Sequence, residues 1–218
     1  MRDDPLGHDR LGASDTYGDP VLAGLELREA QRLLAAGDPH AAVQRLHGLV
    51  ARPLPPALEA DGRYLLGRAF GASGDGDGMT AEWTAVLRLD AATDSSAPLL
   101  ALEEFESIAE AALAELPQEH LEQLGNVAIL IADRPSAEMV AGGIDPRILG
   151  LYHGVPLKMR SVSFGAPYAD TIHLFRANLE RVSASRAALV ERIRIVVLHE
   201  TAHFFGCTEA QLRRMGLA

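Results

Sequence analysis

The stretch Val197-Leu-His-Glu-Thr-Ala-His-Phe-Phe-Gly-Cys-Thr-Glu209 decides how this chain is read. It holds His199-Glu200-Thr201-Ala202-His203, the pattern H-E-x-x-H, near the end of an apolar run from Ser185 to Phe205. That run is apolar on nearly every side and predicts a long, buried helix. Residues four apart on a helix lie about 40° apart around its axis, so the imidazoles of His199 and His203 point to one side and can share one ion. Glu200 lies about 60° from His203, near that ion without having to bind it. A general base needs that placement to act on a water whose pKa zinc has lowered to about 7. Two histidines and a glutamate on a buried helix are costly without a partner. Gly206 stands seven positions after His199, where the helix must end and turn back. Glu209 stands ten positions after His199. A chain reversing at a glycine can bring that carboxylate under the ion as third ligand. Three protein ligands and one open position make a catalytic zinc geometry. The other reading of Glu209 is a solvated acid in a terminal turn. A ligand from a separate downstream helix is nearly excluded, because 15 residues follow His203.

Upstream, Thr171-Ile-His-Leu-Phe-Arg176 alternates apolar and polar and predicts an edge-type strand. Asn126-Val-Ala-Ile-Leu-Ile-Ala-Asp133 is a short branched apolar run and predicts a buried strand. Between them, Asp133 to Pro146 reads as loop, and Ile148 to Pro156 as a turn or short strand. Leu100 to Leu116 predicts an amphipathic helix closed by Pro117. Helix, strands, helix define a small α+β domain over 99–218.

An Asp-, Ser-, Ala- and Pro-rich segment, Ala91 to Pro98, marks its boundary. Before it, residues 23–98 read as helices only. Leu25 to Leu34 and Ala41 to Val50 form one pair, broken at Gly37-Asp-Pro39. Ala60 to Phe70 and Met79 to Leu89 form a second, with Gly71 to Gly78 as the turn. Leu66, Gly67, Phe70, Gly74, Met79 and Trp83 resemble the spacing of the tetratricopeptide repeat. The first pair matches less well, through Ala30, Leu33, Gly37, Ala42 and Leu46. Two generic helical hairpins are the alternative. Residues 1–22 are polar and glycine-rich and read as a mobile tail. Gly74-Asp-Gly-Asp-Gly78 lacks the bidentate Glu of a calcium loop and is read as a repeat turn.

Composition narrows the function. The net charge of −10 argues against a general nucleic-acid binder and against adsorption to anionic membranes. No window approaches the roughly 18 apolar residues of a membrane span. The acidic start, Met1-Arg-Asp-Asp-Pro, shows no signal peptide. One cysteine, Cys207, excludes an intramolecular disulfide and any four-cysteine metal site, and fits a reducing, cytoplasmic setting.

Residues 101–212 resemble the short bacterial zincin-like metallopeptidase family. The resemblance is carried by Phe105 to Pro117, Asn126 to Asp133, Leu149-Gly-Leu-Tyr-His-Gly-Val-Pro156, Asp170 to Arg176 and Val197 to Gly206, in that order. It implies a zincin fold, a peptidase activity, metal ligands at His199, His203 and Glu209, and a base at Glu200. One departure is Phe204, where the family usually has another histidine; it lies outside the ligand set.

The expectation is therefore an α+β zincin-like domain preceded by an all-α, tetratricopeptide-like domain. The expected function is a Zn2+-dependent bacterial peptidase. Its partners would be a peptide or protein substrate and a protein bound at the helical repeats, with no nucleic acid and no membrane. Substrate would pair along Thr171 to Arg176. Tyr152, His153, Tyr168 and His173 are candidate oxyanion-side donors, none of them assigned. The alternative is a non-catalytic helical-repeat interaction protein whose metal site is structural or regulatory.

Overall fold

The computed structural model describes residues 18–93, 97–125, 127–159 and 170–217. The chain divides into two compact units, Met1–Asp94 with Ala141–Gly143, and Ser95–Val140 with Ile144–Ala218.

The first unit has four helices: α1 (Pro20–Ala35), α2 (Pro39–Val50), α3 (Pro56–Ser73) and α4 (Gly76–Thr93). Three begin with proline, which loses nothing at a helix start where N–H groups have no intrahelical partner. Asp19 caps α1 by accepting from the N–H of Val21 at 2.8 Å, and Asp38 caps α2 by accepting from Ala41 at 3.0 Å. The expected tail therefore ends sooner than anticipated: residues 20–22 belong to α1, and residues 1–17 lie outside the described set. The expected turn at Gly71 to Gly78 is also too long. Only Gly74 and Asp75 separate α3 from α4, because Gly74 takes a left-handed φ of 86° and Asp75 accepts from Gly78 N–H at 2.8 Å. Ala23, Leu27, Ala30, Leu46, Leu49 and Leu66 are among the residues of the core. Gly67 faces Trp83, and any Cβ there would run into the indole. Small residues thus let α3 and α4 approach closely.

The second unit contains α5 (Leu102–Ala114), α6 (Gln118–Leu124), β1 (Ala128–Ala132), α7 (Ala137–Ala141) and β2 (Gly150–His153). A 3-10 turn at Leu157–Met159, β3 (Thr171–Phe175), α8 (Arg176–Arg181), α9 (Arg186–Phe204) and α10 (Glu209–Met215) follow. The strands form one sheet in the order β1-β3-β2. β1 runs parallel to β3, with Ile129 opposite Ile172, and β2 runs antiparallel to it, with Leu151 opposite His173. Ile172 and Leu174 of β3 are fully buried in a core with Phe105 and Ala109 of α5 and Ile193 and Val197 of α9.

This sheet reverses two expectations. β3 is the central strand, not an edge, and β1 is an edge strand, not a buried one: Leu130 is 45% exposed. Alternation in β3 reports that helices cover one sheet face. It carries no information about which strands flank it. The segment 133–146, expected as loop, contains α7, and α6, α8 and α10 are additional short helices. Among the described residues, no helix is long and apolar enough to cross a membrane.

Candidate metal centre

Helix α9 is built to carry polar groups into a packed interior. Ser185 caps its start by accepting from Ala188 N–H at 3.2 Å, and Leu189, Ile193 and Val197 anchor it in the core. Its last turns present His199, Glu200 and His203 to a cleft. The helix ends in a Schellman motif: Cys207 N–H donates to Ala202 O at 3.0 Å, and Gly206 N–H to His203 O at 2.9 Å. Gly206 has φ 74°, a left-handed conformation that favours glycine. Thr208 and Gln211 then form a capping box that opens α10 at Glu209.

This reversal brings Glu209 back beneath the two histidines. Its Oε1 lies 3.2 Å from His203 Nε2 and 3.6 Å from His199 Nε2, and the two Nε2 atoms are 3.1 Å apart. The three candidate ligand atoms all lie within 4.8 Å of one another.

The chemistry of this donor set calls for a cation. His199 Nδ1 is 2.6 Å from the carbonyl of Leu217, and His203 Nδ1 is 3.2 Å from the carbonyl of Cys207. A carbonyl oxygen only accepts, so both Nδ1 atoms carry the proton and donate. In the neutral rings both Nε2 atoms then present lone pairs, facing each other and a carboxylate. Three acceptors at this separation repel unless a positive charge, a metal ion or an added proton, lies between them. Bonds of about 2.0–2.1 Å to a tetrahedral zinc space the ligand atoms about 3.3 Å apart, and the observed separations bracket that value. The residues present therefore fit a zinc ion.

Glu200 is 7% exposed and lies beside the cluster. Its Oε2 accepts from the backbone N–H of Tyr152 on β2 at 2.8 Å. Burial pushes its carboxyl above the ordinary value; the Tyr152 N–H and then the two imidazoles pull it back down, while Glu209 pushes it up. Gly150 makes the close approach possible, since a Cβ there would lie 3.0 Å from Glu200 Cγ and 2.5 Å from Val196 Cγ1.

β2 forms the opposite wall. The Leu149 carbonyl accepts from Phe175 N–H at 2.9 Å, so antiparallel alternation turns the backbone groups of Gly150 and Tyr152 away from β3, towards α9. The expected substrate strand, Thr171 to Arg176, is excluded from that role because β1 and β2 occupy both its edges. Of the other aromatic and histidine candidates, Tyr152 lines the cleft, and its hydroxyl donates to Asp170 at 2.6 Å. His173 sits on β3 with Nε2 3.3 Å from the Thr171 hydroxyl. Tyr168 lies outside the described residues. The carbonyls of Leu217 and Cys207 and the N–H of Tyr152 have no counterpart in the sequence reading. They are backbone atoms, and residue type does not announce them.

The cleft has a volume of about 760 Å3, within the usual range for ligand sites. Among known families, the model of the zincin-like metallopeptidases matches residues 124–217. That stretch is thus similar to the zincin-like metallopeptidases, in a mostly helical structure with a small three-stranded sheet. No curated protein matches the chain.

Proposed function

We propose that the protein is a zinc-dependent peptidase, with His199, His203 and Glu209 as metal ligands and Glu200 as general base. The carrying observation is the set of three converging acceptors, two of them imidazoles whose Nδ1 protons are held on the far side of the ring. When bound, zinc supplies Lewis acidity, activating a water at neutral pH and polarising the scissile carbonyl. Glu200 Oε2 is held by Tyr152, which leaves Oε1 to take the proton of the attacking water. A C–O bond forms and the C–N bond breaks. Glu200 returns the proton to the departing amine nitrogen, so protons balance within the site. The outward backbone groups of Gly150 and Tyr152 offer β2 as the strand along which an extended peptide pairs. The helical unit, read as a tetratricopeptide-like platform over 23–98, serves substrate or partner binding; the close packing of Gly67 on Trp83 supports that reading.

Metal analysis paired with a peptide-library assay tests this. About one zinc per chain is expected. Glu200→Gln keeps the metal and loses hydrolysis by about 100-fold or more, whereas His199→Ala loses both. Protein that stays metal-free in zinc-supplemented buffer overturns the reading. Zinc that raises only the melting temperature, with no peptide cleaved, favours a structural or regulatory metal site in an interaction protein.

A further inference from the structure

The charges lining the cleft sort in an informative way. Five charged side chains other than the histidines line it: Arg147, Lys158, Arg192, Glu200 and Glu209. The proposed base and ligand claim the two acids. All three that remain are cations, in a chain with 30 acidic and 20 basic residues. A divalent ion at the cluster would balance Glu200 and Glu209, which leaves these cations to set the field inside the cleft.

Their positions give the cleft two ends. Gly150 abuts Val196, and the Tyr152 N–H reaches Glu200, so β2 and α9 run side by side in the same direction. Arg147, just before β2, and Arg192, two turns before His199, therefore flank one end. Lys158 lies at the other, its stem against Gly206. Arg147 is buried and already has an interaction partner. Arg192 is exposed, and among the described residues no acid pairs with it, although its neighbours Glu191 and Arg194 do pair. The same face of α9 presents Arg192, Val196, His199, Glu200 and His203 to the cleft.

Resting on the peptidase reading, we infer that Arg192 selects peptides carrying a carboxylate about three residues from the bond cleaved. Seven helical residues separate Arg192 from His199, about 10 Å at 1.5 Å per residue. An extended peptide advances about 3.3 Å per residue, which sets the register. A guanidinium in a half-enclosed cleft favours a carboxylate over an amide or a cation through charge-assisted hydrogen bonds. An Asp or Glu side chain and a terminal carboxylate share that chemistry.

The test uses the zinc-loaded full chain and peptides with Glu, Gln or Lys placed at each position on both sides of the scissile bond. A second set ends at the selected position as free acid or amide and separates side-chain from terminal recognition. For wild type, kcat/KM is expected to favour Glu over Gln about tenfold at one position three residues away, and the preference shrinks as salt rises. Arg192→Gln brings that ratio towards unity, and Arg192→Glu shifts the preference to Lys. Cleavage with no preference for acid, or a preference unmoved by Arg192→Gln, overturns the inference and leaves the peptidase reading intact. If no peptide is cleaved, the peptidase reading fails, and fluorescence anisotropy with zinc-loaded Glu200→Gln decides the inference. Tighter binding of Glu peptides that disappears with Arg192→Gln supports acid recognition; equal binding of Glu and Gln peptides overturns it.

Discussion

A methyl group at residue 150 would sit 3.0 Å from Glu200 Cγ and 2.5 Å from Val196 Cγ1, on the wall that faces the metal cluster. Gly150→Ala therefore displaces the carboxylate of Glu200 while leaving the three candidate ligands untouched. Misplacement of a catalytic group by about 1 Å costs about 100-fold in rate. The expected result is zinc content equal to wild type with kcat reduced by that order; a variant that cleaves at the wild-type rate removes Gly150 from the positioning of Glu200. His173 offers a second test at this scale. Burial first, and then the nearby His153, depress its pKa below the ordinary value of about 6.5. As pH falls through about 6.5 the unfolded chain takes up the proton before the folded one does, so stability declines from there downward until the folded-state pKa is passed. His173→Gln should flatten that decline in urea titrations taken at successive pH values. An unchanged slope would show that His173 does not carry it. His199, His203 and Glu209, the candidate ligands, could be singled out in the sequence because side-chain type and spacing are themselves the signal. Their backbone partners could not.

Elements show a similar divide. The spacing of α9 could be read because a helix turns one periodic pattern into one face. Which strand lies at the sheet edge could not, since the alternation of β3 and the apolar run of β1 do not report strand order, which is set by pairing partners far along the chain. The short helices α6, α7, α8 and α10 have seven residues or fewer, too few for a hydrophobic period to declare itself. Yet α10 matters to the site from both ends. It opens with Glu209 and closes at Gly216, whose left-handed φ of 73° delivers the Leu217 carbonyl to His199 Nδ1. Gly216→Val strains that turn and withdraws the carbonyl, although no ligand atom is removed. Loss of a hydrogen-bond partner behind a metal-bound histidine typically lowers metal affinity by 10–100-fold. Competition with a chromophoric chelator measures this directly, and wild-type zinc affinity in the variant would show that the Leu217 carbonyl does not support the centre.

At the scale of the whole molecule, each unit has its own hydrophobic core, one around Leu27, Leu46 and Leu66, the other around Phe105, Ile172 and Ile193. The candidate metal cluster belongs to the second. Zinc that binds only the folded form stabilises it by RT ln(1 + [Zn]/Kd), about 4 kcal/mol at a thousandfold excess over Kd. That stabilisation should appear in the α+β unit, where the candidate ligands are, and should vanish in His199→Ala. The single tryptophan of the chain, Trp83, lies in α4 of the helical unit and is an independent reporter on it. Thermal unfolding followed by Trp83 fluorescence is therefore expected to be insensitive to zinc, while a second calorimetric transition moves upward with zinc and downward with a chelator. A Trp83 transition that tracks the zinc concentration would show that the two cores melt as one cooperative body. The ledger of stability would then have to be drawn for the whole chain, because a ligand that stabilises one core can leave the other's melting unchanged only if they unfold separately.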